Sequence, residues 1–234
     1  MDPIIYCILL TGKNDERYKF IPIAIKNFNN QTYPNKKLLI INHGNKKQIL
    51  KEIDNIEEIM FDKSNFTLGC MRNFAIDMIP YNTIWTVWDD DDIRHEKYLE
   101  ILYKNLIKNN ADVLFYKNRI DYNINNKFGY RCKFDNGMPC LLAKKTEVIQ
   151  YLKKDSLEDI KLQTDFSFHN KKIFLLNNDP RLYIRIIHDF NTSLFVDNSR
   201  KSIVNYSDNS HYHEFELTDK EREYVKKTIS EYFK

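Results

Sequence analysis

Apolar residues follow two rhythms along this chain, short unbroken runs and stretches that recur every three to four positions. Residues 4–10 and 38–41 are unbroken runs that end in Thr11-Gly12-Lys13-Asn14 and Asn42-His43-Gly44-Asn45. Runs of this length bounded by turn residues predict buried strands. Between them Ile21, Ala24, Ile25 and Phe28 share one helical face, Pro22 fits the first turn, and Thr32-Tyr33-Pro34-Asn35 breaks the chain. Strand, helix and strand with continuous apolar strands predict a right-handed parallel unit. The pattern continues with a weaker helix over 46–55, a strand over 57–61, a helix from about 67 through Met78 ended by Pro80, and a strand over 83–88. This alternation predicts an α/β fold with a nucleotide-binding order of strands.

Beyond Trp88 the rhythm becomes mixed. Tyr98, Leu99, Leu102 and Leu106 mark one face of a helix over 95–108, best read as core packing. A strand over 112–116, polar hairpin material over 119–132, a short helix over 146–153 and strands over 173–176 and 183–187 follow. Thr218-Asp219-Lys220-Glu221 has the form of a capping box and opens a last helix over 218–233. The expected organisation is a single α/β domain: residues 1–110 as the nucleotide-binding half, 111–204 as the acceptor half, and 205–234 as a helical extension.

Composition narrows the function without naming it. The chain has 234 residues, 42% of them apolar, and a net charge of +3 from 36 basic and 33 acidic residues, so no overall field marks a nucleic-acid binder. No apolar run approaches the roughly 20 residues that span a bilayer, and Met1-Asp2-Pro3 lacks a signal peptide's basic region. A cytoplasmic protein without a membrane span is expected. Cys7, Cys70, Cys132 and Cys140 form no CxxC pair, which argues for free thiols over zinc or a disulfide framework.

The chemistry concentrates where the strand over 83–88 runs into Asp89-Asp90-Asp91-Asp92. In open α/β sheets the carboxyl ends of strands bind ligands. Four adjacent anions there repel one another unless something positive holds them, and a hard divalent cation shared with a diphosphate would serve. The other reading is a solvated turn capping the next helix, although capping needs one acid and not four. Asp89 and Asp91 point the same way at an alternating strand end, which favours that pair over neighbours.

Four separated segments now match one family in order: Leu10-Thr11-Gly12-Lys13 with Gln31-Thr32-Tyr33-Pro34; Leu68-Gly69-Cys70-Met71-Arg72-Asn73; Trp88-Asp89-Asp90-Asp91-Asp92; and Tyr183-Ile184-Arg185-Ile186-Ile187-His188 running into Asn191-Thr192. The chain resembles a family 2 glycosyltransferase with the GT-A fold, a Rossmann-like nucleotide-binding sheet with a mixed acceptor-side half. The resemblance implies a metal-dependent, inverting transferase that takes a sugar from a nucleotide-sugar, uridine-linked by preference, to a hydroxyl on a glycan, protein or small molecule. It matches Asp89 and Asp91 to the DxD acids and His188 to a histidine that completes the metal site. An imidazole ligand suits manganese more than magnesium.

By the same resemblance Thr11, Asn42, Arg72, Asp89 and Asp90 lie at the nucleotide, with Asp90 and Asp92 otherwise helpers or solvent-facing. Arg72 offers a planar cation to phosphate, and Asn42, standing where relatives carry an aspartate pair, still offers a donor and an acceptor to a base edge. An exposed loop histidine at 188, a surface arginine at 72 and plain turn chemistry at Thr11 are the plainer readings. The general base is matched to Asp165, with Phe168 as the aromatic three positions on; Glu158 and Asp159 are the alternatives. Gly137-Met138-Pro139-Cys140-Leu141-Leu142 resembles the acceptor-side loop. The lack of a glycine-rich basic phosphate loop disfavours a nucleotidyltransferase. The departures at Asn42-His43 and Thr164 leave room for an inactive protein that binds nucleotide or sugar.

Overall fold

The computed structural model describes residues 2–12, 14–49, 53–61, 66–137, 141–147, 149–155, 157–159, 161–191 and 211–233. Lys13, residues 138–140 of the acceptor-side loop with Cys140, and Thr192 lie outside them. Seven strands form the larger sheet: β1 (Ile5–Thr11), β2 (Lys36–Asn42), β3 (Ile56–Met60), β4 (Ile84–Val87), β6 (Val113–Tyr116), β9 (Leu141–Lys144) and β10 (Ile173–Leu176). Their order is β10-β6-β9-β4-β1-β2-β3. The β4-β1-β2-β3 half is parallel throughout, and β9 runs antiparallel to both β4 and β6.

Period-two alternation decides the layers. Ile5, Cys7 and Leu9 of β1 join one buried cluster with Ala24 and Phe28 of α1 (Ile21–Asn29) and Leu99, Leu102 and Leu106 of α3 (Tyr98–Lys108). Ile8 faces the other way, into a cluster with Met71, Ala75 and Ile76 of α2 (Leu68–Met78) and Phe166 of α4 (Leu162–Phe168). The sheet is thus covered on both faces, as continuous apolar parallel strands require.

A second sheet of order β12-β8-β7-β11-β5 holds β5 (Ile93–Arg94), β7 (Asn118–Asn123), β8 (Phe128–Phe134), β11 (Tyr183–Ile187) and β12 (Tyr212–Glu216). It packs through Ile93, Ile120, Ile184 and Ile186 on Val225 of α5 (Asp219–Tyr232). The capping box is present: Thr218 Oγ1 accepts from Glu221 N and Glu221 Oε2 accepts from Thr218 N. Strands from beyond residue 110 complete the larger sheet, so the chain passes between the sheets more than once. The passage that matters most is the acid turn, which leaves the larger sheet at β4 and enters the smaller one at β5.

The element order departs from the expected one in identifiable places. No helix occupies the described part of 46–55; Glu58 accepts from the backbone N–H of Gln48 and Ile49 and holds that stretch as a loop. No helix occupies the described part of 146–153 either, because Asn73 donates to Tyr151 O and accepts from Tyr151 N. Strands β5, β9 and β12 and helix α4 were not foreseen. Cys7, Cys70 and Cys132 are free thiols. Among the described residues no helix is long and apolar enough to cross a membrane.

Candidate active site

Parallel pairing brings three loop entrances to one edge. Thr11 lies beside Asn42 at the ends of β1 and β2, and Val87 lies beside Ile8 two residues before the acids. Gly12 has φ +91°, and a Cβ there would lie 2.2 Å from both Asn42 Oδ1 and Gly44 N, so only glycine lets the first two loops close on each other.

The acids are not a solvated turn. Asp90 is 0% exposed and Asp91 and Asp92 are each 5% exposed, while the Asp89 side chain is 29% exposed and the most open of the four. Each has a separate set of partners. Asp92 accepts from Tyr183 Oη and, at 2.9 Å, from Ile186 N, which ties the turn to β11. Asp89 lies 3.6 Å from both Arg72 Nη2 and Arg94 Nη2. Asp91 Oδ2 meets Arg17 Nη2 at 3.0 Å, His188 Nε2 at 3.0 Å and Asn191 Nδ2 at 3.1 Å. Asp90 is gripped by Arg17 through both Nε, at 3.3 Å, and Nη2, and accepts from Thr11 Oγ1 at 3.4 Å.

These surroundings separate the carboxyls. Burial pushes Asp90 up to about 7 and Asp92 up to about 8, with neighbouring aspartates adding to both rises. Burial acts on Asp91 in the same sense, but the His188 hydrogen bond and the charge of Arg17 outweigh it and hold the group down at about 2. Asp91 is therefore the most readily ionised of the three buried acids.

His188 follows β11 and is 3% exposed, stacked on Phe20 with ring centroids 4.5 Å apart. Its Nδ1 accepts from Phe190 N at 3.0 Å, which leaves the neutral ring's proton on Nε2, facing Asp91. Arg17 and Phe20 come from a 3-10 helix, Asp15–Phe20, capped by Asn14 Oδ1 accepting from Glu16 N. Sequence reasoning missed Arg17. The available signal was the acid run itself, which needs cations, and the polar turn just after β1 that carries one.

Arg72, on α2, bridges Asp89 to Glu158, whose Oε1 lies 3.3 Å from its Nη2. A Cβ on Gly69 would lie 1.8 Å from Leu152 O, so this helix abuts the loop carrying Glu158 and Asp159. Burial raises the pKa of both acids; the Arg72 charge opposes it and Asp89 adds to it. Asp165 is elsewhere: on α4 it pairs with Lys161 at 3.1 Å, and no contact among the described residues joins it to the acid turn. Asn42 is also not free to read a base. It is fully buried, donating to Glu58 Oε1 at 2.6 Å and Lys46 O at 2.9 Å and accepting from Gly44 N at 2.8 Å and Tyr18 Oη at 3.2 Å. Its amide is spent on shaping the loop.

The sequence profile of Glycosyl transferase family 2 matches residues 8–176. The chain belongs to that family. No curated protein sequence matches the chain. Its fold is similar to crystal structures of S. aureus TarS 1–349: TM-score 0.59 at 15% identity, over 77% of this chain and 60% of that one. The complex with UDP gives 0.58 at 15% identity, over 80% and 61%, and the complex with UDP-GlcNAc gives 0.59 at 14% identity, over 82% and 60%. This chain thus spans about three fifths of the length of those structures. With the family, the α/β fold of GT-A type in a single domain expected from the sequence is established.

The expected divalent ion can be weighed against the donors present. Carboxylate oxygens and an imidazole nitrogen are the right types for such an ion. Among the described residues, however, no three His, Cys, Asp or Glu side chains converge to hold one as they stand. A cation does stand among them, the Arg17 guanidinium on Asp90 and Asp91. The seat fits a positive charge and is closed by one from the chain itself.

Proposed function

We propose that this glycosyltransferase moves a sugar from a uridine-linked donor to a hydroxyl acceptor, with inversion at the anomeric carbon. The observation that carries the reading is the buried acid turn at the carboxyl edge of the parallel strands, with Asp91 kept ionised among buried neighbours. That relatives of the same fold were crystallised with UDP and UDP-GlcNAc supports a uridine nucleotide. The departing nucleoside diphosphate carries developing negative charge, which positive groups must meet. Arg72 is a candidate from the protein, since its planar fork suits phosphate and it already spans from Asp89 to Glu158.

A divalent ion, manganese before magnesium, would be held by Asp91 and Asp89 with His188, whose Nε2 would have to lose the proton it presents to Asp91. When bound it would supply Lewis-acid neutralisation of the diphosphate. The acceptor hydroxyl loses its proton to a carboxylate, and Asp159 suits that role better than Asp165. It is partly exposed, its pKa is raised by burial, and it belongs to the loop that abuts Arg72, whereas Asp165 is engaged by Lys161. Glu158, buried against Arg72, positions that arginine.

The test is incubation with a panel of nucleotide-sugars and manganese, reading release of the nucleoside diphosphate and the configuration of the product. Release of UDP is expected, with a fall of at least about a hundredfold in Asp91→Asn. Release of pyrophosphate would instead indicate a nucleotidyltransferase. Silence across the panel with tight nucleotide binding would indicate an inactive binding protein.

A further inference from the structure

Arg17 is held by more than the charge it neutralises. Its Nε and Nη2 fork onto Asp90, and its Nη1 donates to Phe190 O at 2.9 Å, so two anchors fix the guanidinium independently of Asp91. Asp90 is 0% exposed, and its side chain's partners among the described residues are Arg17 and the Thr11 hydroxyl. A carboxylate buried in this way needs a cation, and here it has one. The third contact, Nη2 to Asp91 Oδ2 at 3.0 Å, falls on the same oxygen that His188 Nε2 reaches at 3.0 Å. An ion seated between that oxygen and that imidazole must displace the Nε2 proton and move the guanidinium off Asp91, and the two positive charges repel each other. The fork on Asp90 lets Arg17 give up Asp91 without leaving the site.

Resting on the nucleotide-sugar reading above, we propose that Arg17 is a resident counter-ion that guards Asp91, yielding it only when a divalent ion arrives together with the diphosphate. The displaced Nη2 then has a phosphate oxygen to donate to. Ion and nucleotide accordingly bind as a pair, each strengthening the other by the same factor, and the ion alone binds poorly.

The experiment titrates manganese into nucleotide-free protein and follows the free-ion signal by electron paramagnetic resonance. Arg17→Gln, which keeps a polar side chain and loses the charge, is expected to bind manganese at least about tenfold more tightly than the natural chain, with Arg17→Lys close to the natural chain. In Arg17→Gln/Asp91→Asn the gain is expected to vanish, which assigns the ion to this seat. Equal affinity in the natural chain and Arg17→Gln, or no binding by folded Arg17→Gln, overturns the proposal. Should Arg17→Gln fail to fold, the guanidinium Nε resonance of Arg17 in the natural chain decides. It is expected to shift with magnesium and UDP together and stay in place with magnesium alone; a shift with magnesium alone, or no shift with the two together, overturns it. Because the manganese titration uses no nucleotide, it is independent of the donor assignment. Turnover of a nucleotide-sugar alongside equal manganese affinities would sink the guard and leave the transferase reading standing.

Discussion

Asp159 and Asp165 make opposite predictions from nearly the same stretch of sequence. The pKa of Asp159 is raised, chiefly by burial, with Arg72 opposing and Asp89 assisting. A base must be ionised to take a proton, so a raised value means that activity is lost on acidification sooner than an ordinary aspartate near 3.9 would allow. kcat/KM should therefore rise with pH along a limb lying above that value. Asp159→Asn should remove the limb and about two to four orders of magnitude of rate, the usual worth of a general base. Asp165→Asn should keep both, and the reverse pattern would return the role to Asp165. Sequence alone favoured Asp165 because the spacing to Phe168 matched, yet Phe168 is 79% exposed and Asp165 faces Lys161. The acids at 89–92 and His188 were legible because they sit at strand ends, where the apolar pattern stops. Arg17 was not, since its partners Asp90 and Phe190 are distant in sequence.

At the level of elements, legibility followed where backbone hydrogen bonds end. Strands that bond only to neighbouring strands, such as β1 and β2, and helices that satisfy themselves, such as α1, α3 and α5, were readable from periodicity. The two expected helices that the described residues do not form lie where a side chain from elsewhere has taken the backbone. Asn73 is the clearer case, closing on both Tyr151 N, at 2.7 Å, and Tyr151 O, at 2.9 Å, like a short piece of strand. Asn73→Ala should strand both groups and cost about 1–3 kcal/mol, measurable by urea denaturation. Leu152 N also donates to Glu158 O at 2.9 Å, so the same loop carries the acids that face Arg72. The substitution should for that reason lower kcat by more than it raises KM. An unchanged kcat would mean that this loop takes no part in the chemistry.

Across the whole molecule the acid turn is one of the passages that join the two sheets, and the residue at that junction is Arg94. It is 1% exposed, donates from Nη2 to Val87 O at 3.2 Å, and lies with its Cζ 4.4 Å from the Trp88 ring centre and 4.9 Å from that of Tyr183. Trp88 closes the larger sheet's strand and Tyr183 opens β11 of the smaller one, so the guanidinium is wedged between the sheets while offsetting Asp89 at 3.6 Å. Arg94→Met keeps comparable bulk but removes the donor to the buried Val87 O and one of the two charges that offset Asp89, which should cost about 1–3 kcal/mol. Tryptophan fluorescence reports the end of β4, where Trp85 and Trp88 lie, and far-UV circular dichroism reports both sheets. With the junction shared, the two signals should give one midpoint in the natural chain and should move down together in Arg94→Met. If the sheets were independent units joined by a linker, the substitution would split the transition. The acid turn would then be a hinge between two bodies, and a seat assembled from Arg17, Asp91 and His188 could not persist without ligand. Coincident transitions instead require that the geometry of the acid-turn edge be set by the same packing that holds the fold together.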